Sequence, residues 1–413
     1  MTLTSSSKDQ TGSNDPGSRR LQPLMGSKPR LLTPGPTPLP EEVRQALALD
    51  MIHHRKAQFR SVMGRVQSRL QALFGTAQPV LPLSCSGTGA MQAAVSNLFA
   101  PGETVLVVEG GKFGQRWKEI ALTHGLDVVS LPVPWGQAVN PEDIEQSLQT
   151  QPNIKGVLVQ ASETSTGVLH PVGAMSRLTS RRDCLLVVDG ISAVGISPCP
   201  MDEMAIDCLL TGSQKGLMLP PGLALISLSP RAWDRAESIT NRVYALNLLQ
   251  ERKKILDNQT AFTSPVNLLR GLEVSLELLL KNGLEALYQT SWGLTQMTRA
   301  GVRAMGLSCL AETHYTWGLT SVSMPQELDA QQVLALAEKD FNVVMAGGQD
   351  HLKGRIIRIG HMGFVDWADI LAGLHALGEC LLRCGGRVQT ADHLNQAMQA
   401  FELARRSPCP GWA

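Results

Sequence analysis

Between about residues 80 and 230, short continuous apolar runs alternate with stretches whose apolar side chains recur every three or four positions. The runs 104–108, 126–133, 156–160, 184–188, 207–210 and 223–228 predict strands, and the stretches 90–99, 115–124, 141–149 and 172–182 predict helices. Strands apolar on both faces, interleaved with helices, predict an α/β fold with a mostly parallel central sheet covered on both sides. Only a Gly/Pro-rich loop separates the last two strands. That is too short for a helical crossover, so this pair is expected to run antiparallel.

Upstream, Thr33-Pro34-Gly35-Pro36-Thr37-Pro38 predicts a rigid extended arm, because proline fixes φ and removes a donor. Pro40-Glu41-Glu42 opens a helix. Downstream, residues 265–303 predict one long helical stretch. After Gly306 the pattern changes to strands at 319–323 and 356–359 and helices at 330–341, 367–382 and 391–405, a smaller C-terminal α+β domain. The expected organisation is a flexible tail (1–28), a large domain with its N-terminal arm (29–282) and a small domain (283–413).

Composition narrows the function. The 413 residues are 43% hydrophobic and 18% charged, which supports a large core and excludes wholesale disorder. With 37 Lys+Arg against 36 Asp+Glu the net charge is +1, which gives no global field for nucleic acid or an anionic membrane. Aromatics at 4% disfavour base-stacking platforms. No run approaches the ~20 apolar residues of a membrane span. Cys85, Cys184, Cys199, Cys208, Cys309, Cys380, Cys384 and Cys409 are scattered and read as reduced thiols. The tail lacks an apolar core and carries Asp9 and Asp15, unlike a secretory or mitochondrial leader, and the chain does not end in a peroxisomal Ser-Lys-Leu. The expected location is cytoplasmic.

The candidate chemistry clusters at strand ends. In Thr211-Gly212-Ser213-Gln214-Lys215-Gly216 a lysine follows an apolar strand, where open α/β sheets place ligands, and desolvation there can free its amine for imine chemistry. Taken alone, it reads as a surface lysine. Asp189 ends the run Leu185-Leu186-Val187-Val188 one strand earlier, so both side chains emerge at one edge; alone, it reads as a helix cap. A carboxylate beside a pyridine nitrogen keeps that nitrogen protonated, which makes pyridoxal phosphate an electron sink. Ser84-Cys85-Ser86-Gly87-Thr88-Gly89-Ala90 opens a helix, a place for an anion, although the motif is weak by itself. Phe113, just after a strand, is either a core aromatic or a ring stacked on a cofactor. In Arg355-Ile356-Ile357-Arg358-Ile359-Gly360, alternation puts the two arginines on opposite faces, so at most one faces a site and grips a carboxylate. Cys380 and Cys384 have no nearby His or Cys partner for a metal, and His53-His54 reads as structural.

In this order and spacing, residues 33–36, 86–90, Gly114-Gln115-Arg116, Glu163-Thr164-Ser165-Thr166-Gly167-Val168, Val188-Asp189, 212–215, Pro220-Pro221-Gly222 and Arg358-Ile359-Gly360 resemble the class V aminotransferases of pyridoxal-phosphate fold type I. The nearest likeness is to the alanine–glyoxylate and serine–glyoxylate (serine–pyruvate) enzymes, over residues 31–382. The resemblance implies that Lys215 holds pyridoxal 5′-phosphate and Asp189 pairs with its ring nitrogen. It implies phosphate contacts from Thr88, Gly89 and Ala90 with Gln214 beside them, stacking by Phe113, and a Thr164 bond on the phenolic-oxygen side. Arg358 and Gly35 would contact the substrate. It further implies a homodimer with shared active sites, residues 260–265 forming the donated loop and Thr263 its phosphate contact; Thr260 stands where some relatives carry tyrosine. The expected reaction moves an amino group from alanine or serine to glyoxylate or pyruvate. Alternatives are an aminophosphonate transaminase and a cysteine desulfurase, the latter disfavoured because residues 345–358 contain no cysteine. A regulator that has lost catalysis would be expected to lose Lys215 or Asp189. No second cationic clamp for a distal carboxylate is evident in the sequence.

Overall fold

The computed structural model describes residues 28–240 and 243–411. The expected tail lies outside these residues except for Lys28, as does the terminal pair Trp412-Ala413. A seven-stranded sheet runs, from edge to edge, Val80–Leu83, Ala224–Leu228, Cys208–Gly212, Leu185–Asp189, Ile154–Gln160, Thr104–Glu109 and Asp127–Pro132. Its strands are parallel except Ala224–Leu228, which runs antiparallel to both neighbours. The expected antiparallel pairing is therefore observed. The four strands Val80–Leu83, Leu185–Asp189, Cys208–Gly212 and Ala224–Leu228 are buried throughout, as strands covered on both faces must be.

Val80–Leu83 was not anticipated, because its Pro82 argues against a strand in the sequence. It occupies the sheet edge, where a missing N–H is tolerated. The predicted 265–303 helix is two helices, Val266–Leu280 and Gly283–Ala304. The break falls at Lys281-Asn282-Gly283, where Gly283 has φ +82°, a conformation that glycine adopts without strain. The helix Ala57–Phe74 was also not anticipated.

A smaller four-stranded antiparallel sheet, Ser308–Cys309, Leu319–Ser323, Ile356–Gly360 and Ala346–Gly347, carries Arg358. The main buried core includes residues from Val43 to Leu279, and a second gathers Leu294 to Phe401. Leu32 belongs to the second core, and the strand Arg30–Leu31 pairs in parallel with Val343–Val344. The N-terminal arm thus crosses from one body to the other and passes the carboxyl edge of the large sheet on the way. There Thr37 N–H donates to the Gln214 carbonyl (3.2 Å) and Thr37 Oγ1 to the Lys215 carbonyl (3.1 Å). Among the described residues no helix is long and apolar enough to cross a membrane.

Candidate active site

Strand Cys208–Gly212 delivers Lys215 through a loop closed on itself. Ser213 Oγ donates to the Pro220 carbonyl (2.6 Å), and Leu219 N–H donates to the Ser213 carbonyl (3.1 Å). Lys215 Nζ donates to the Pro34 carbonyl of the arm. Gly35, at φ +112°, presses against this side chain: a Cβ there would stand 2.5 Å from Lys215 Cδ and 2.7 Å from Nζ. Only glycine fits that conformation and that space. Burial lowers the Lys215 pKa to about 8; Arg358 and Arg116 push in the same direction and Asp189 opposes them.

Asp189 ends the neighbouring strand. Its Oδ1 accepts from Ile191 N–H (2.8 Å), which among the described residues is the sole hydrogen bond to this carboxylate. Burial raises its pKa to about 7, and Glu163 adds to the rise. The Ile191 amide, Arg116 and Lys215 pull the other way.

Lys215, Asp189, Thr88, Phe113, Thr164 and Gln214 line one cavity of ≈ 140 Å³. The sequence therefore named six residues that the fold brings together. Larger cavities exist, including one of ≈ 370 Å³ beside Met218 and Phe364, but Glu42 is the only ionisable side chain that lines it. Gly89 and Ala90 do not line the Lys215 cavity. Their helix is Gly87–Leu98, which starts three residues before the predicted 90–99, and their N–H groups donate to the Ser86 carbonyl at 2.8 and 3.3 Å. The N–H groups without an intrahelical acceptor are those of Gly87 and Thr88, which do line it.

Arg358 reaches the site from the small sheet. Its Nε donates to the Gly347 carbonyl (2.8 Å) and its Nη1 to the carbonyl of the cavity residue Thr164 (2.9 Å). Arg355 is exposed. Thr263 is elsewhere in the chain, on a separate cavity of ≈ 160 Å³ with Ser84, Glu251 and Thr260. Its loop is pinned by Arg55, which donates to the Thr260 and Ala261 carbonyls (2.6 and 3.1 Å), and by Glu251, which accepts from Ala261 N–H (2.9 Å). The Thr260 hydroxyl is committed within the loop, to the Phe262 carbonyl (2.7 Å).

Sequence reasoning quoted Glu163 and Arg116 within motifs but gave neither a role. Glu163 is fully buried, and burial raises its pKa. It accepts from five donors: Phe113 N–H (3.1 Å), Gly114 N–H (3.2 Å), Ser165 N–H (3.1 Å), Ser165 Oγ (2.5 Å) and Gln160 Nε2 (2.9 Å). It thereby caps the helix Lys112–Thr123 from a distant segment and fixes Phe113 at the cavity. Arg116 also lines the cavity, with Ser86, Gly87, Ser162, Ile191 and Ser192. Its position three residues after Phe113 on one helix was a usable signal, since i and i+3 share a face.

A strand-end lysine beside a buried, under-bonded carboxylate, at a helix start with free amides, is the equipment of a carbonyl-cofactor enzyme. Residues 32–359 match the family model for aminotransferase class V. The chain is 40% identical over 364 residues to the soluble hydrogenase small subunit of Synechococcus sp., covering 87% of this chain and 95% of that one. It is 32% identical to the L-aspartate–glyoxylate aminotransferase of Paracoccus denitrificans, covering 91% and 97%. The crystal structure of the alanine–glyoxylate aminotransferase from Nostoc sp. superposes with a TM-score of 0.82 at 29% identity, covering 89% of this chain and all of that one. The chain belongs to the class V aminotransferases, pyridoxal-phosphate-dependent enzymes of fold type I.

Proposed function

We propose that the chain transfers the amino group of a small amino acid, alanine or serine, to glyoxylate or pyruvate. The observation that carries the reading is the pairing of Lys215 with Asp189 at one cavity. Hydrogenase chemistry, named for the Synechococcus relative, has no counterpart in that pairing.

The cavity suits pyridoxal 5′-phosphate. A buried carboxylate with one donor calls for a cation opposite it, and the Gln214 amide oxygen is buried without a partner in the same space. The free amides of Gly87 and Thr88 sit at a helix start, where an anion is favoured. Pyridoxal phosphate bound there supplies a carbonyl carrier for the amino group and a sink for the electrons of the substrate Cα–H bond.

The chain's own residues do the rest. Lys215 would hold the cofactor, and its Nζ would take the proton from the substrate Cα and later return one. An amine with a pKa of about 8 suits both directions. Asp189 would keep the ring nitrogen charged. Phe113, held by Glu163, would pack on the ring, and Thr164 would bond its phenolic-oxygen side. Arg358 binds the substrate carboxylate, and Gly35 leaves room for Lys215 and substrate together. Thr263, remote from Lys215 in its own chain, reaches the phosphate of a partner's site in a homodimer. The cytoplasmic setting rests on the scattered spacing of the eight cysteines in the sequence.

The test is a half-reaction screen, watching cofactor absorbance with alanine, serine and aspartate, then with glyoxylate and pyruvate. Fast reduction of the cofactor signal by alanine or serine and its recovery by glyoxylate are expected. Preference for aspartate would replace the donor assignment. For the dimer, Lys215→Ala is mixed with a Thr263 variant carrying an obstructing side chain. Subunit exchange should restore part of the activity, and exchange without restored activity would show the site complete within one chain.

A further inference from the structure

Three cationic side chains act on this cavity: Lys215, Arg358 and Arg116. The two arginines are fastened to different residues, and of the two only Arg116 lines the cavity among the described residues. Arg358 is fastened to the Gly347 and Thr164 carbonyls, on the small-sheet side. Arg116 donates from Nη1 to Thr88 Oγ1 (3.3 Å), at the start of helix Gly87–Leu98, and its guanidinium carbon lies 4.7 Å from the centre of the Phe113 ring. Among the described residues Arg116 forms no ion pair, although Arg65, Arg69, Arg231, Arg235 and others do. A half-buried guanidinium that lines a cavity with no carboxylate bonded to it is a site for an anion brought from outside.

The carboxylates of the site do not fill that role. Glu163 is saturated by its five donors, and Asp189, which feels the charges of both Arg116 and Lys215, forms no hydrogen bond or ion pair with Arg116 among the described residues. The unsatisfied donors nearest Arg116 are the amides of Gly87 and Thr88, and a planar guanidinium added to them completes a shell for a tetrahedral dianion.

We infer that Arg116 is a phosphate-binding residue, closing the anion cup at Gly87 and Thr88 around the phosphate monoester of the cofactor, while Arg358 serves the substrate carboxylate. This rests on the cofactor reading above. It assigns the second cation of the cavity to the cofactor end, so Arg116 is not a clamp for the distal carboxylate of a dicarboxylic substrate.

The test uses full-length protein stripped of cofactor, with dissociation constants for pyridoxal 5′-phosphate and for pyridoxal, which lacks the phosphate. Wild type should strongly prefer the phosphorylated form; if it does not, the cofactor reading itself fails. Arg116→Gln should weaken pyridoxal 5′-phosphate by about 10- to 100-fold and change pyridoxal by less than about 3-fold, as expected for one lost charged hydrogen-bonding partner. Inorganic phosphate should raise the melting temperature of the stripped wild type and not of Arg116→Gln. Arg116→Lys, which keeps the charge without the fork, should recover part of the preference, and this distinguishes loss of the contact from misfolding. Equal weakening of both cofactor forms, or none, overturns the assignment. So does an unchanged cofactor constant with a raised KM for aspartate and not for alanine.

Discussion

Glu163 and Asp189 are both buried carboxylates at the carboxyl edge of one sheet, and both have raised pKa values, yet they are provisioned differently. Glu163 collects five donors from three segments; Asp189 has one. A saturated buried carboxylate holds its surroundings in place, and removing it leaves several donors without an acceptor. A carboxylate with unused acceptor capacity, open to a cavity, is stable as an anion only when a cation arrives. The contrast separates a residue that builds the site from one left free to receive a cation there, where burial and pKa direction alone do not.

The largest effect is expected at Lys215, which shares the cavity with Asp189. Lys215→Ala should lower the single-turnover rate of proton transfer by about 10²–10⁴, with the fold intact by circular dichroism. A rate within tenfold of wild type would remove the lysine from the chemistry.

Next comes stability. Glu163→Ala should cost about 3–5 kcal/mol in chemical denaturation, because a buried network loses its acceptor. Asp189→Asn should leave stability unchanged, or raise it above pH 7 in the stripped protein. A folded-state pKa raised to about 7 means that the charged carboxylate favours the folded state less than its protonated form does. The stability carried by the protonated form is complete below the unfolded carboxylate pKa and is lost as pH rises through about 7. Similar losses in both variants would erase the distinction.

Asp189→Asn should instead lower the pKa of the cofactor ring nitrogen by about 1–3 units and slow the half-reaction, measured by the pH dependence of its spectrum. Arg358→Gln should raise KM for every amino and keto acid by about 10- to 100-fold, and exposed Arg355→Gln should not, as steady-state kinetics across a donor panel will show. The smallest effect concerns pH. On the proposed role of Lys215, its neutral amine would capture the cofactor, so the capture rate of the stripped enzyme should rise with a midpoint near pH 8. A midpoint near that of a free lysine would mean that the amine is not desolvated.

Much of the fold was legible because its signals are local. Strands 104–108, 184–188 and 223–228 are apolar without interruption, and a parallel sheet buried on both faces requires that. Val80–Leu83 was not legible, since its proline is acceptable only at an edge, and edge position is a property of the assembled sheet. The break before Gly283 was missed because apolar spacing continues across it on both sides.

The sequence alone determined which side chains meet at the large-sheet edge: Asp189 and Lys215 follow consecutive strands, and consecutive parallel strands must release their ends on the same side. It also determined that Arg355 and Arg358 cannot share a face. Only the tertiary structure decided what meets that edge from far along the chain. Glu163 caps the helix of Phe113, Arg116 touches Thr88, Arg358 bonds the Thr164 carbonyl, and Gly35 packs on Lys215. These contacts join segments with no shared periodicity, held by hydrogen bonds and close packing whose partners exist only once two bodies and the arm between them have closed around the same cavity.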